Sequence, residues 1–425
     1  MMARRSVDQR DAPIRVLHVI TGLAAGGAED QLRLLLPRLR KHGVTTEVAV
    51  FYNAGSVAAS LRADGIPVTD LRSPGFWDWR GTKQLTGLIR AGGYDAVHTH
   101  LFRAGLHGRI AARRAGVKAL IHTEHSLNPV LIEGRRRSFA INWLYRWAER
   151  RGALTVAVST AVAHELSDMG VPADRIRILP NGIELDQLAF DPLERKAFRA
   201  EHGLAETDFV VLCLGRLAAS KRLERAIEAV ARFTDEQFPD SLFPAPRLLV
   251  VGAGEERERL EALADAQLPG RVVFTGELPG DRLPAALSAA DLLFSPAPEE
   301  TFGLSVVSAA AAGLPVAFAS CPALTELRLS ESDLDGPTPI QPVSGTVDSF
   351  GEVLRRALAA RTGNEPTVRR VDPGLAAALH AYDIESIAER MAQLYRELLG
   401  PSTDGPTAQD NQQFSQDRTV GVHHV

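Results

Sequence analysis

Histidines gather at two places in the sequence, His98 and His100 in "DAVHTHLFRAG" and His122 and His125 in "LIHTEHS", the second group with Thr123 and Glu124 between. Each group closes a short apolar run. Side chains at the carboxyl end of a buried strand point toward a ligand cleft, where imidazoles can donate to hydroxyls and a carboxylate can orient them. A metal set is the weaker reading, because no Cys is near and His-x-x-His at a strand end lacks the i, i+4 geometry of helical zinc pairs. A different chemistry is offered by "VVLCLGRLAASKRLERAIEAVARF", where Gly215 and Arg216 lead to Lys221 before a helix. A guanidinium fork and a point charge on a loop over a helix N-terminus suit a diphosphate, against the plain alternative of a solvated basic loop. The stretch "EETFGLSVVSAAAAGLPV" adds Glu300, Gly303 and a small-residue helix closed by Gly313 and Pro315. A carboxylate beside that anion site would reach neutral hydroxyls rather than the anion. Sugar hydroxyls next to a diphosphate describe a nucleotide sugar.

These residues need elements to hold them. "IRVLHVI", "TEVAVF", "YDAVHT", "ALIHT" and "LTVAVS" recur through the first half, and "DFVVLCLG", "PRLLVVG", "RVVFTG", "DLLFS" and "PVAFAS" through the second. Such continuous β-branched runs, separated by amphipathic segments, predict parallel strands buried on both faces and joined by right-handed helical crossovers. Two doubly wound, Rossmann-like α/β domains facing each other across a cleft follow. Their junction is expected near "RIRILPNGIELDQLAFDP", where a strand runs into Pro-Asn-Gly. Domains over 13–185 and 186–383 result, with a flexible start at 1–12, a helix at 384–400 and a disordered tail at 401–425. Glycines after two further strands, Gly22, Gly26 and Gly27 in "VITGLAAGGAEDQLRLLLPRL" and Gly252 and Gly254 in "VVGAGEERERLEAL", let backbone approach a ligand.

A chain of 425 residues with 45% hydrophobic and 24% charged residues and a formal net charge of -4 is neither a polyanion binder nor a disordered segment. Cys213 and Cys321 each lie in an apolar stretch, give no disulfide framework and are expected in the core of a protein kept reduced. With no apolar span long enough for a bilayer and no signal-peptide pattern, the expected location is the cytoplasm. Segment 134–151, with Arg135, Arg136 and Arg137 before Phe139, Trp143, Leu144 and Trp147, is a candidate contact with the inner face of an anionic membrane; its plain alternative is a helix packed on a sheet.

The ordered set "GGAE", "DAVHTH", "HTEHS", "LTVAVSTAV", "ILPNGIE", "GRLAASKRLE", "VVGAGEERERLEAL", "VVFTGELP" and "EETFGL" resembles the family 4 glycosyltransferases, retaining enzymes of the GT-B fold, over nearly the whole chain. The resemblance implies that Gly26 and Gly27 form a loop beside diphosphate and acceptor, that His125 lies near the donor sugar, and that Arg216 and Lys221 neutralise the leaving diphosphate. Glu300 would be the first glutamate of the family's Glu-x7-Glu motif, and the backbone at Phe302, Gly303 and Leu304 would hold sugar and phosphate. Gly215 and Gly254 would approach the nucleotide, and Val273 to Leu278, with Phe274 and Gly276, the base. The last helix, Ile384 to Leu399, would cross back onto the first domain. Two departures stand out. Ser308 occupies the position of the second, ribose-binding glutamate, and "SCPALTEL" keeps Glu326 but not the glycines of the family's Gly-Gly-x-Pro-Glu pattern.

The implied function is metal-independent, retaining transfer of a hexose from a UDP- or GDP-sugar to an acceptor hydroxyl, with no cofactor, in polysaccharide, glycolipid or other glycoconjugate synthesis. The alternatives are a soluble small-molecule acceptor and a non-catalytic nucleotide-sugar binder. No nucleic-acid partner is expected. Asp333 and Asp335 form an Asp-x-Asp, the mark of metal-dependent transferases of another fold, but in "SESDLDGP" they read as a solvated turn. A dehydrogenase is disfavoured by the lack of GxGxxG with a suitably placed acid, and a hydrolase by the lack of GxSxG.

Overall fold

The computed structural model describes residues 13–24, 26–127, 131–132, 135–136, 138–150, 152–233, 245–327, 329, 339–360 and 369–400. The Asp-x-Asp, Arg137 and the two terminal segments 1–12 and 401–425 lie outside these residues.

The first half builds a seven-stranded sheet from β1 (Ile14–Ile20), β2 (Val44–Val50), β3 (Val68–Asp70), β4 (Ala96–His100), β5 (Ala119–Glu124), β8 (Leu154–Ala157) and β9 (Ile176–Ile178), in the order β3-β2-β1-β4-β5-β8-β9. A short antiparallel pair, β6 (Leu131–Ile132) and β7 (Arg135–Arg136), stands apart from it. The second half builds a six-stranded sheet from β10 (Val210–Leu214), β11 (Arg247–Val251), β12 (Val272–Gly276), β13 (Leu292–Ser295), β14 (Val316–Phe318) and β15 (Ile340–Pro342), in the order β12-β11-β10-β13-β14-β15. Every pairing within the two sheets is parallel. The doubly wound α/β class is therefore as the apolar runs predict. Strands β3 and β15, which carry no apolar run, are three-residue edge strands; β15 ends in Pro342, whose missing N–H is tolerable only at an edge.

Both sheets reverse their winding between the first and fourth strands, β1 and β4 in one, β10 and β13 in the other. A parallel sheet opens a crevice at such a reversal, at the carboxyl ends of its strands. Helices follow or flank these strands: α1 (Gly27–Leu39) after β1, α4 (Phe102–Ala115) after β4 with α5 (Phe139–Glu149) packed on it, and α11 (Leu304–Ala311) after β13.

The helix Ile384–Leu399 follows the second half but packs on the first. Its buried Ile384, Ile387, Ala388, Met391, Ala392 and Tyr395 share one apolar cluster with Leu32, Leu35 and Leu36 of α1 and Val16 and Ile20 of β1. Burying side chains of this size contributes about 1.5–3 kcal/mol each, far more than the exposed pair Lys41–Glu385 at the helix start. Gln31 adds a reciprocal lock, donating from Nε2 to the Gly182 carbonyl at 2.8 Å and accepting the Gly182 N–H at 2.7 Å.

Candidate functional site

In the second half the strand ends are shaped by glycine. Gly215, which follows β10, has φ +142, and Gly252, which follows β11, has φ +140. A β-carbon on Gly252 would run into the Gly215 carbonyl, and one on Gly254 into the Leu217 carbonyl. Only bare backbone lets the two loops lie this close. They are zipped together by Gly215 N–H to Val251 O at 3.0 Å, Leu217 N–H to Ala253 O at 2.9 Å and Glu256 N–H to Leu217 O at 3.0 Å.

From this platform Arg216 stands exposed and Lys221 ends a single 3-10 turn. Lys221 Nζ is ion-paired with Glu300 Oε1, with 28% and 13% of the side chains accessible. Gly215, Arg216, Lys221, Ser295, Pro296 and Glu300 line one recess at the β10/β13 reversal.

Gly303, at φ +94, turns the chain into α11; a β-carbon there would sit 2.5 Å from Cys321 Sγ. The Phe302 ring is buried edge-on to Tyr382, 5.1 Å between centroids, so only its backbone remains to face a ligand. Leu304 opens α11 opposite Gly27 of the first half, where a β-carbon would lie 3.4 Å from Leu304 Cδ1. The N-termini of α1 and α11 thus confront each other. Thr301 Oγ1 also crosses the cleft, donating to the His125 carbonyl at 2.7 Å.

On the far side, Phe274 of β12 is half-buried with the Arg257 guanidinium 6.0 Å from its ring centre, and Gly276 turns at φ +76. Ser56 of the first half donates to Glu277 at 3.2 Å. Ser308 lies within α11 and is only 6% exposed. Glu326 accepts the Thr160 N–H at 2.7 Å at the start of helix Thr160–Asp168, another contact between halves.

The first half contributes mostly neutral groups. Gly26 is extended, and Glu29 folds back so that a β-carbon on Gly26 would displace its carboxylate. Burial pushes the Glu29 carboxyl up to about 7, opposed by its own backbone N–H and by Arg216 across the cleft. In "GGAE" the glycines are legible as a ligand loop, whereas the role of this carboxylate comes from burial that the sequence does not display.

The histidines differ from expectation. Only His125, one residue past β5, is half-exposed; His98, His100, His122, Thr123 and Glu124 are buried. The helix Ile384–Leu399 covers the sheet face carrying His98, His100 and Thr123, and α4 and α5 cover the face carrying His122 and Glu124. Position at a strand end places a side chain near the cleft, but a covering helix keeps it out.

Beneath that last helix the polar groups are joined. His98 Nδ1 lies 2.6 Å from Tyr395 Oη and His98 Nε2 2.7 Å from Thr123 Oγ1. Tyr395 Oη is 3.4 Å from His18 Nε2, His18 Nδ1 is 3.0 Å from His100 Nε2, and His100 Nδ1 is 3.2 Å from His125 Nε2. His125 Nδ1 is buried without a partner among the described residues. Burial lowers His18 to about 3 and His125 to about 4, and holds His98 and His100 well below the ordinary range, so all four rings are neutral near pH 7. On the opposite face Glu124 accepts from Tyr145 Oη at 2.9 Å.

The basic segment is split. In α5 Tyr145 stacks on Phe102 at 5.7 Å, packing the helix on the sheet, while Trp143 is 58% exposed. No helix among the described residues is long and apolar enough to cross a membrane.

Known proteins resemble this chain in family, in sequence and in fold. The family descriptions "Glycosyltransferase Family 4" and "Glycosyl transferases group 1" match residues 25–187 and 194–328. The chain is 30% identical over 321 residues to the 2-deoxystreptamine glucosyltransferase of Streptomyces kanamyceticus, covering 72% of this chain and 79% of that protein. It is 34% identical over 267 residues to the D-inositol 3-phosphate glycosyltransferase of Acidothermus cellulolyticus, covering 58% of each. In fold it is similar to HepE of Anabaena, solved with UDP and glucose, at a TM-score of 0.74 and 21% identity over 90% of this chain and 100% of that one.

Proposed function

Because this chain belongs to the family 4 glycosyltransferases of the GT-B fold, we propose that it moves a hexosyl group from a nucleoside diphosphate sugar to a hydroxyl of a small polyol, with retention and without a metal ion. The observation that carries the reading is the recess lined by Arg216, Lys221 and Glu300, the last just before the Gly303 turn into α11, whose start meets that of α1. Two fixed cations and the N-terminus of α11 meet the charge that grows on a departing diphosphate, the positive field a metal ion supplies in other transferases.

Retention follows if the acceptor attacks the anomeric carbon on the face the diphosphate leaves. The carbon–oxygen bond to the diphosphate breaks, a bond to the acceptor oxygen forms, and the acceptor proton passes to a diphosphate oxygen. The chain's part is then positional and electrostatic. Glu300 orients sugar hydroxyls once the incoming diphosphate shares Lys221, and His125 contacts the sugar from the opposite half. UDP or GDP is the proposed carrier; HepE, alike in fold, was solved with UDP. A small polyol acceptor is supported by the two relatives, whose names give 2-deoxystreptamine and D-inositol 3-phosphate.

The test is incubation of the full chain with UDP-glucose or GDP-mannose and either of those acceptors, with and without EDTA, reading the anomeric configuration by NMR. An α-linked product formed equally in EDTA is expected. A β-linked product would sink retention, and loss of turnover in EDTA would sink metal independence.

A further inference from the structure

The histidines buried under the last helix are more than a satisfied polar core: their bonds end on His125, whose carbonyl meets Thr301 across the cleft and whose Nδ1 has no partner among the described residues. Each neutral imidazole carries one N–H and one lone pair, so a bond on one nitrogen fixes the role of the other. The contacts run unbroken from Thr123 through His98, Tyr395, His18 and His100 to His125 Nε2. Two arrangements satisfy them all with Tyr395 Oη donating one bond and accepting the other; if it accepts both, the phenol proton is left without a partner among the described residues and His125 carries its proton on Nε2. In one, every ring carries its proton on Nδ1: Thr123 donates to His98, His98 to Tyr395, Tyr395 to His18, His18 to His100 and His100 to His125, whose Nδ1–H is left to donate. In the other, every ring carries it on Nε2, each bond runs in reverse, and His125 Nδ1 presents a lone pair. The two contain the same number of protons and the same charge.

We propose that Tyr395, His18 and His100 are positioning residues that hold His125 in the second arrangement, so that its Nδ1 accepts a hydrogen bond from a sugar hydroxyl. The distances favour that direction. His98 has short contacts to both Tyr395 Oη at 2.6 Å and Thr123 Oγ1 at 2.7 Å, which do not choose between the two; the 3.4 Å from Tyr395 Oη to His18 Nε2 does, because it is longer for a hydroxyl donor than for a ring N–H. With the phenol proton committed to His98, its oxygen accepts from His18 Nε2–H, and the rest of the chain follows. The buried, unpartnered His125 Nδ1 is then the vacancy a hydroxyl fills. The sugar as occupant rests on the proposed function; the linkage of tautomers does not. The helix that returns from the second half would thus set a hydrogen-bonding role at the cleft through Tyr395.

The test uses the full chain labelled with 15N-histidine and long-range imidazole spectra, with the His125 signals assigned by loss in His125→Asn. The expected wild-type pattern is a protonated Nε2 and a bare Nδ1 at His125. Tyr395→Phe removes the hydroxyl that joins His98 to His18 and should move His125 toward a mixture of tautomers. His18→Asn keeps a group near the old Nδ1 but loses the contact to Tyr395, and should do the same if the first variant fails to fold. In a His100→Asn background, which cuts the chain, Tyr395→Phe should no longer move His125. An Nδ1–H at wild-type His125, or a His125 pattern indifferent to both Tyr395→Phe and His18→Asn, would overturn the relay. So would one equivalent of zinc in the purified protein, since the ring nitrogens of His18, His98 and His100 lie within 4.8 Å of one another and a bound ion would take the lone pairs the relay needs. These spectra need no substrate, so a relay that fails and a transferase reading that fails are told apart.

Discussion

The two sheets reverse their winding at corresponding places, yet equip the reversal differently. In the second half the strand ends carry glycines whose backbones lie against each other, one exposed arginine and a lysine paired with a glutamate. In the first half they carry uncharged imidazoles joined to one another beneath a helix. Topology supplies the crevice in both; side chains decide what it grips. Fixed charge and bare backbone suit the diphosphate end of a nucleotide sugar, and neutral directional bonds suit hydroxyls, which would be outcompeted by water around exposed charges.

If that division of labour holds, the largest effect should come from the charged half. Lys221→Ala should lower kcat/KM for a nucleotide sugar by about 100- to 1000-fold, the range for losing one donor to a developing anion, with little change in melting temperature. A fall below tenfold would mean the lysine is not at the leaving group.

The neutral half is broken by acid rather than by truncation. A histidine near 6.5 when unfolded but near 3 or 4 when folded stabilises the fold fully above the unfolded value, and that stability is lost as pH falls from about 6.5 toward the folded value. Each such ring costs about 1.4 kcal/mol per pH unit across that window. Urea melts from pH 7 to 5 should therefore show a falling midpoint, and His18→Asn should flatten the slope. A midpoint constant over that range would mean the rings are charged or solvated.

Glycine substitutions sharpen the contrast. Gly254→Ala forces a β-carbon into the Leu217 carbonyl and should cost about 1–3 kcal/mol and weaken nucleotide binding. Gly22→Ala in the first half, where the nearest atom would be 3.6 Å away, should be tolerated in a thermal melt. Equal losses would erase the difference. A smaller effect than that of the lysine is expected at Ser308, where a carboxylate could supply a charged hydrogen bond: Ser308→Glu should tighten nucleoside diphosphate binding about tenfold, within the range such bonds contribute. Unchanged affinity would place the ribose elsewhere.

The fold was legible because parallel strands buried on both faces are mostly apolar, and "VVLCL" or "LLVV" has few other uses. The edge strands β3 and β15 were not, since "VTD" and "IQP" are half-solvated and carry no such run. In the site, Arg216, Lys221 and Glu300 could be read from residue type and place after a strand, although their partnership could not. His18 gave no signal at all. It sits inside an apolar run, and its meaning comes from Tyr395, 377 positions away on a helix that had first to cross between halves. Glu29 escaped for a similar reason, because its raised pKa depends on burial that no spacing encodes.

The most direct measurement is calorimetric titration of UDP and GDP into the wild type, Lys221→Ala and His125→Asn, paired with turnover of the matching sugar nucleotide. The account predicts that one nucleotide binds, that Lys221→Ala weakens it at least tenfold, and that His125→Asn leaves it unchanged while lowering turnover. Nucleotide binding lost equally in His125→Asn, or unaffected by Lys221→Ala, would contradict the assignment of diphosphate to one half and sugar to the other.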